Sequence, residues 1–325
     1  MAQRNKALTL PVGLIAAIPL LLAGPAAAQV AGPLPPGRSL AHDTASTIRP
    51  IQVDVAMVLV SVTVTDFQDR PLTDLQKNDF RIFEDDVEQE ILTFSHEDAP
   101  ISIGLLFDMS GSMVNKVEKA RRAALQVLKT ANPQDEFFLV TFGNRARLTS
   151  DFTSDIEELE DRMLTVKPDG KTALLDAISL GMEQMKAARN RKRALVIISD
   201  GGDNHSRTNE TRVRSALREA DCQVYAMGIF DEAVKTREER DGPSLLAEFA
   251  DFTGGRSFPV SSPDELAEIA DKISVELRDR YVLGYKPDTA RRDGAWRAIK
   301  VKVAETASPL PLRILARTGY YSAKD

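Results

Sequence analysis

The stretch ISIGLLFDMSGSMVNK (Ile101–Lys116) decides the fold. Its first seven residues are a continuous apolar run, the composition of a parallel strand buried on both faces. The run ends in Asp108, and Ser110 and Ser112 follow at alternate positions around Gly111. From Val114 to Lys129 apolar residues return at helical spacing, through Val117, Ala120, Ala124 and Leu128. A buried strand, a turn carrying three oxygen-bearing side chains and a helix make the opening unit of an α/β sheet.

The same alternation continues downstream. EFFLVTF (136–142), ALVIIS (194–199) and QVYAMGI (223–229) read as buried strands, ARLTSDF as an edge strand, and RSFPV as a short one. Between them lie helical patterns: from Ser154, with Glu157 at capping-box spacing; over Thr172–Ala188; over Glu210–Ala220; and over Pro243–Phe252. Ser262-Pro263-Asp264-Glu265 opens a last helix with Leu266, Ile269, Ile273 and Leu277 on one face. Residues 99–280 are therefore expected to form a doubly wound, mainly parallel, Rossmann-like α/β domain.

The flanks read differently. VDVAMVLVSVTVTD alternates with period two, and DFRIFEDDVEQEILTFS reads as two strands joined by an acidic turn at Glu84–Val87. The tail returns to this pattern in RYVLGYKP, WRAIKVKVA and LRILARTGYYS. Neither flank is long enough for a comfortable core of its own. Residues 51–98 and 281–325 are expected to pair into one smaller all-β subdomain, with the α/β domain inserted between them.

Arg4 and Lys6, the apolar run LTLPVGLIAAIPLLLAG and the small-residue stretch Ala26-Ala27-Ala28 have the layout of a cleavable signal peptide over residues 1–28, cut after Ala28. Export to the periplasm or medium is expected; an uncleaved segment is the alternative and the one route to a membrane. Residues 29–50 are rich in Pro, Gly, Ser and Thr and read as a linker. Cys222 is the single cysteine of the 325 residues, so no internal disulfide forms. The net charge of −6 argues against nucleic acid, whose binding requires neutralised phosphates. The basic run Arg189–Arg193 falls between a helix and a strand and reads as a solvated connection.

In an open α/β sheet, ligands bind beyond the carboxyl ends of the strands, where strand order reverses. Asp108 ends the first parallel strand. An extended Asp-x-Ser-x-Ser would aim three oxygens to one side, with Gly111 allowing a sharp turn into the helix. Thr172, in PDGKTALLDA, and Asp200, in VIISDGGDN, should converge on the same place. Asp108, Ser110, Ser112, Thr172 and Asp200 offer hard oxygen donors without His or Cys, which disfavours zinc or copper and suits Mg²⁺, with Mn²⁺ or Ca²⁺ as substitutes. Two carboxylates balance a divalent ion. If hydroxyls and water supply its direct contacts, the ion keeps the electrophilicity to accept a carboxylate from outside.

DMSGSM, GKTALLDA and VIISDGGDN, in this order on this pattern, resemble a von Willebrand factor type A (VWFA) domain over roughly 99–280, and VTFGN at 140–144 fits that family's second strand. The flanks resemble an exported bacterial group of related proteins. All five polar positions match the family's metal-ion-dependent adhesion site, the MIDAS. The resemblance implies a module that binds the Asp or Glu of a protein partner through the cation; in some members the last helix, here 264–280, shifts on binding, the alternative being a rigid domain. Two other readings stand beside it: a structural component of an envelope assembly whose ion only rigidifies the fold, and a metal-dependent hydrolase using Asp108 or Asp200. The second lacks a poised base or nucleophile and a phosphate-cradling loop. The charged stretch 231–242, following a strand's carboxyl end, is expected either to shape partner choice or to be a mobile loop.

Overall fold

The computed structural model describes residues 57–324 apart from 97–98, 231–235, 288–292, 305–306 and 308–310. The expected signal peptide 1–28, the linker 29–50 and residues 231–235 of the charged stretch lie outside the described residues. In chain order the elements are β1 (Val58–Thr65), β2 (Phe80–Glu84), β3 (Val87–Gln89), β4 (Ile91–His96), β5 (Ile101–Asp108), α1 (Val117–Lys129), β6 (Glu136–Phe142), β7 (Ala146–Thr153), α2 (Ile156–Thr165), α3 (Leu174–Met185) and β8 (Lys192–Ser199). There follow α4 (Glu210–Glu219), β9 (Gln223–Gly228), α5 (Arg237–Thr253), β10 (Ser257–Pro259), α6 (Leu266–Arg278), β11 (Tyr281–Tyr285), β12 (Trp296–Val303), β13 (Arg313–Ala316) and β14 (Gly319–Tyr321).

The apolar runs assemble into one six-stranded sheet of order β10-β9-β8-β5-β6-β7, parallel throughout except for the antiparallel edge strand β7. Every residue of β5 is buried, as its mostly apolar composition requires, and its Ser102 hydroxyl donates to the Glu136 carboxylate at 2.5 Å. Alternate residues serve opposite faces. Ile101, Ile103, Leu105 and Phe107 pack under α1, α2 and α6, whereas Leu106 packs with α3, α4 and α5. Each fully buried Leu, Ile or Phe here contributes about 1.5–3 kcal/mol relative to exposure. Strand β5 lies between β6 and β8, so the chain steps one way to β6 and the other way to β8. Its carboxyl end, Asp108, is therefore at the point where strand order reverses.

Strands from the two flanks pair with one another. One antiparallel sheet has the order β13-β1-β11-β4 and a second β14-β12-β2-β3. Val60, Val62 and Val64 of β1, Ile82 of β2 and Leu283 of β11 meet in a core shared by both sheets. Asp69, in the turn after β1, ties this part to the α/β part: it accepts from Arg256 at 2.6 Å and pairs with Lys272 at 3.1 Å and with Arg313. Those charges outweigh the effect of burial and lower the Asp69 carboxyl to about 2.

Several boundaries differ from the sequence reading. The segment 80–96 forms three strands: β2 and β3 pair with each other, and after Glu90 the chain crosses to the other sheet, where β4 pairs with β11. Helix α2 is capped one residue later than expected: Asp155, not Ser154, accepts from Glu158 N at 3.1 Å. Helix α5 begins at Arg237 rather than Pro243. Thr236 and Glu239 form a reciprocal capping box that opens the helix six residues before the proline, which forfeits one hydrogen bond inside it. The mobile-loop alternative for the charged stretch therefore fails over 237–242, which is helix.

Candidate metal centre

Asp108 is the last residue of β5 and is wholly buried. Its Oδ1 accepts from Ser110 N at 2.8 Å and its Oδ2 from the Ser199 hydroxyl at 2.6 Å. Ser199 in turn accepts from Gly201 N at 2.9 Å, so the end of β8 fixes the rotamer of a carboxylate on β5. Asp200, the next residue, is also buried. Burial and the nearby Asp200 carboxylate push the Asp108 carboxyl up to about 7, against the hydrogen bonds from Ser110 and Ser199. Two carboxylates pressed together in a buried place are what a cation relieves.

The serines reach the site differently from the extended arrangement expected. Ser110 is extended, but Gly111–Met113 form a 3-10 turn, and α1 starts only at Val117. The turn, rather than strand alternation, brings the Ser110 and Ser112 hydroxyls to 3.0 Å from each other. Ser110 is buried and Ser112 is half-buried, so the serine pair runs from the interior toward the surface. Gly111 serves a close approach. Its N–H donates to Gly170 O at 3.0 Å, and a Cβ there would stand 2.9 Å from that oxygen. Asp169 N likewise donates to Met109 O at 2.9 Å.

These contacts carry the 169–173 loop, and Thr172 with it, to the end of β5. Thr172 is buried; its N–H donates to Asn204 Oδ1 and its carbonyl accepts from Asn204 N, each at 3.0 Å. Asp203 is used in the same loop system: its Oδ1 accepts from Leu175 N at 3.2 Å and from the Ser206 hydroxyl at 2.6 Å, capping the start of α3. All five residues singled out from the sequence are thus placed at one end of the sheet by three connected segments: the end of β5 with its turn, the 169–173 loop, and the end of β8 with the loop after it.

Two residues in this region carry no signal in the sequence. Ser199 ends an otherwise apolar strand, and only its register opposite Asp108 gives it a role. Lys116 is buried, and its Nζ donates to Asp200 Oδ2 at 2.9 Å. Helix α5 also reaches this end of the sheet. Gly201 has φ +80°, the left-handed region, and packs so tightly against Gly242 that a Cβ on either residue would meet backbone atoms of the other segment within 2.6 Å. The exposed residues Arg237, Glu238 and Arg240 therefore stand on the helix turns next to Asp200.

The motifs follow one another in this order on a doubly wound sheet, and their oxygen-bearing side chains gather at one end of it. Residues 103–202 match the von Willebrand factor type A domain family, which supports reading this part of the chain as such a domain. Domains of this family are typically interaction modules rather than enzymes. The chain is 26% identical over 133 residues to inter-alpha-trypsin inhibitor heavy chain H4 of Sus scrofa, covering 37% of this chain and 14% of that protein. It is also 26% identical over 223 residues to an uncharacterized protein of Borreliella burgdorferi, covering 57% of this chain and 65% of the other. Among solved structures, a von Willebrand factor type A protein from Catenulispora acidiphila superposes with a TM-score of 0.48 at 13% identity, over 77% of this chain and 75% of that one. The chain spans about one seventh of the inter-alpha-trypsin inhibitor relative's length and just under two thirds of the Borreliella protein's.

The donor set fits a hard divalent cation. It holds two carboxylates and three hydroxyls, with neither sulfur nor imidazole among them, and an ammonium already rests on one carboxylate.

Proposed function

We propose that this chain is an exported, non-enzymatic binding module that engages an acidic group of a protein partner through a divalent cation. Asp108, Ser110, Ser112, Thr172 and Asp200 would hold the ion, with Mg²⁺ the natural occupant and Mn²⁺ or Ca²⁺ able to substitute. The observation that carries this reading is the pairing of the buried Asp108 with Asp200 beside the linked hydroxyls of Ser110 and Ser112. When bound, the ion would supply a Lewis-acidic position able to accept a carboxylate from outside. The residues of this chain do the rest. Ser199 and Ser110 N hold Asp108 in place, the Asn204–Thr172 contacts fix the threonine, and burial keeps competing water away from the carboxylates.

The reading extends to the whole chain as follows. Residues 1–28 act as a signal peptide cut after Ala28, 29–50 form a linker, and 99–280 form the binding domain, set into a β-subdomain of 51–98 and 281–325. Export places the protein in the periplasm or outside the cell. Among the described residues no helix is long and apolar enough to cross a membrane. The exposed charges at the start of α5 flank the site and would contribute to partner choice.

Affinity capture from envelope extract tests the reading, using the mature wild type and Asp108→Ala, each with Mg²⁺ and with chelator. Capture of a defined set of proteins only by the wild type with Mg²⁺ is expected, with Asp108→Ala still folded. Recovery of the same proteins in all four samples would end the metal-bridged account. Unfolding of Asp108→Ala would favour a purely structural ion instead.

A further inference from the structure

Lys116 is an ammonium built into the candidate metal centre. It precedes the first turn of α1, where its N–H donates to Met113 O at 2.8 Å and its carbonyl accepts from Ala120 N at 2.9 Å. The backbone is therefore fixed at both sides. The residues just before it, Val114 and Asn115, are exposed, so water is one residue away. The lysine nevertheless turns inward. Its side chain is 8% exposed, that of Asp200 is 3% exposed, and the two are joined at 2.9 Å. Lysine is almost never buried to this degree without a charged partner, and Asp200 is a residue that the site needs for its ion.

We propose that Lys116 is a tethered counter-cation which lowers the affinity of the site for its divalent ion and makes ion retention depend on the partner's carboxylate. This rests on the reading that the site takes such an ion. The argument is one of charge. Ionised Asp108 and Asp200 together carry the charge that balances a divalent ion. With Lys116 in place, the loaded site carries one more positive charge than it would without the lysine. A carboxylate from outside offsets that added charge, so ion and external carboxylate bind cooperatively. The ammonium also offsets the Asp200 charge when no ion is present.

Titration calorimetry with Mn²⁺ on the mature protein tests this, comparing wild type, Lys116→Met, Lys116→Gln and Asp108→Ala. Methionine keeps the stem without charge, and glutamine also keeps a donor for Asp200. One charge at close range changes the affinity of a neighbouring ionic group by about ten- to a thousandfold, so both lysine variants should bind Mn²⁺ at least about tenfold more tightly than wild type. Acetate should tighten Mn²⁺ binding in the wild type and do so less in the variants. Equal or weaker Mn²⁺ binding by the folded variants, with wild type binding and Asp108→Ala not, overturns the role of Lys116 and leaves the metal site standing. No Mn²⁺ binding by wild type or either lysine variant overturns both. Nitrogen NMR of the wild-type lysine Nζ needs no variant: the Lys116 signal should shift on saturation with Mg²⁺, and an unmoved signal overturns the proposal.

Discussion

The buried carboxylate of Asp108 makes a direct statement about stability and pH. Its folded value of about 7 stands above the ordinary 3.8 that it regains on unfolding. Between these values the folded state holds a proton that the unfolded state releases. The contribution is therefore complete below pH 3.8 and is lost as pH rises through 7. A separation of about three units at about 1.36 kcal/mol each gives roughly 4 kcal/mol. The assay is urea unfolding in chelator at several pH values from 4 to 8, for wild type and for Asp108→Asn, which cannot titrate there. The stability of wild type minus that of Asp108→Asn should fall by about 4 kcal/mol across this range. Mg²⁺ should recover most of that loss above pH 7, because the ion replaces the proton. A flat difference would refute the close burial of Asp108 against Asp200, and a difference that rises with pH would mean that hydrogen bonds, not burial, dominate the carboxyl.

Two further outcomes follow from residues outside the site. Asp135, wholly buried, accepts from Ile101 N at 2.9 Å, Asn132 N at 2.8 Å and Arg278 at 2.6 Å, joining β5, the turn before β6 and the end of α6. Asp135→Ala removes the buried carboxylate that faces the Arg278 guanidinium and leaves the Ile101 amide without its acceptor, and should cost about 3–5 kcal/mol in chemical denaturation; a loss below about 1 kcal/mol would contradict the buried geometry. Burial pushes the Cys222 thiol up to about 12, so a thiol reagent at pH 8 should label it only at the rate of unfolding. Immediate stoichiometric labelling of folded protein would contradict its placement.

How much of this was legible in the sequence depended on whether the information was local. The parallel strands announce themselves because a strand covered on both faces must be apolar almost throughout, as Ile101–Phe107 is but for Ser102. The candidate side chains stood out because Asp108, Ser110, Ser112 and Asp200 sit where apolar runs stop and Thr172 just before one begins. Helix α5 was read too short because a proline looks like a helix start, whereas the capping pair Thr236 and Glu239 lies in a segment dense with charge. The roles of Ser199, Lys116 and Asp135 are set by register and by segments far apart in the chain. Asp200 lies 84 residues from Lys116, and Ile101 lies 34 residues from Asp135. Nothing short-range marks such residues. Gly111 was expected to serve the turn, and it also admits the Gly170 carbonyl, a requirement visible only once the loop is in place.

The central claim is that one divalent ion is held where Asp108, Ser110, Ser112, Thr172 and Asp200 converge. Anomalous diffraction from crystals of the mature protein grown with Mn²⁺ tests it most directly. The account predicts a single strong peak among these five side chains, within direct or one-water reach of each and beside the Lys116 ammonium. Density showing no ion there at saturating Mn²⁺, or an ion held elsewhere on the chain, would contradict it.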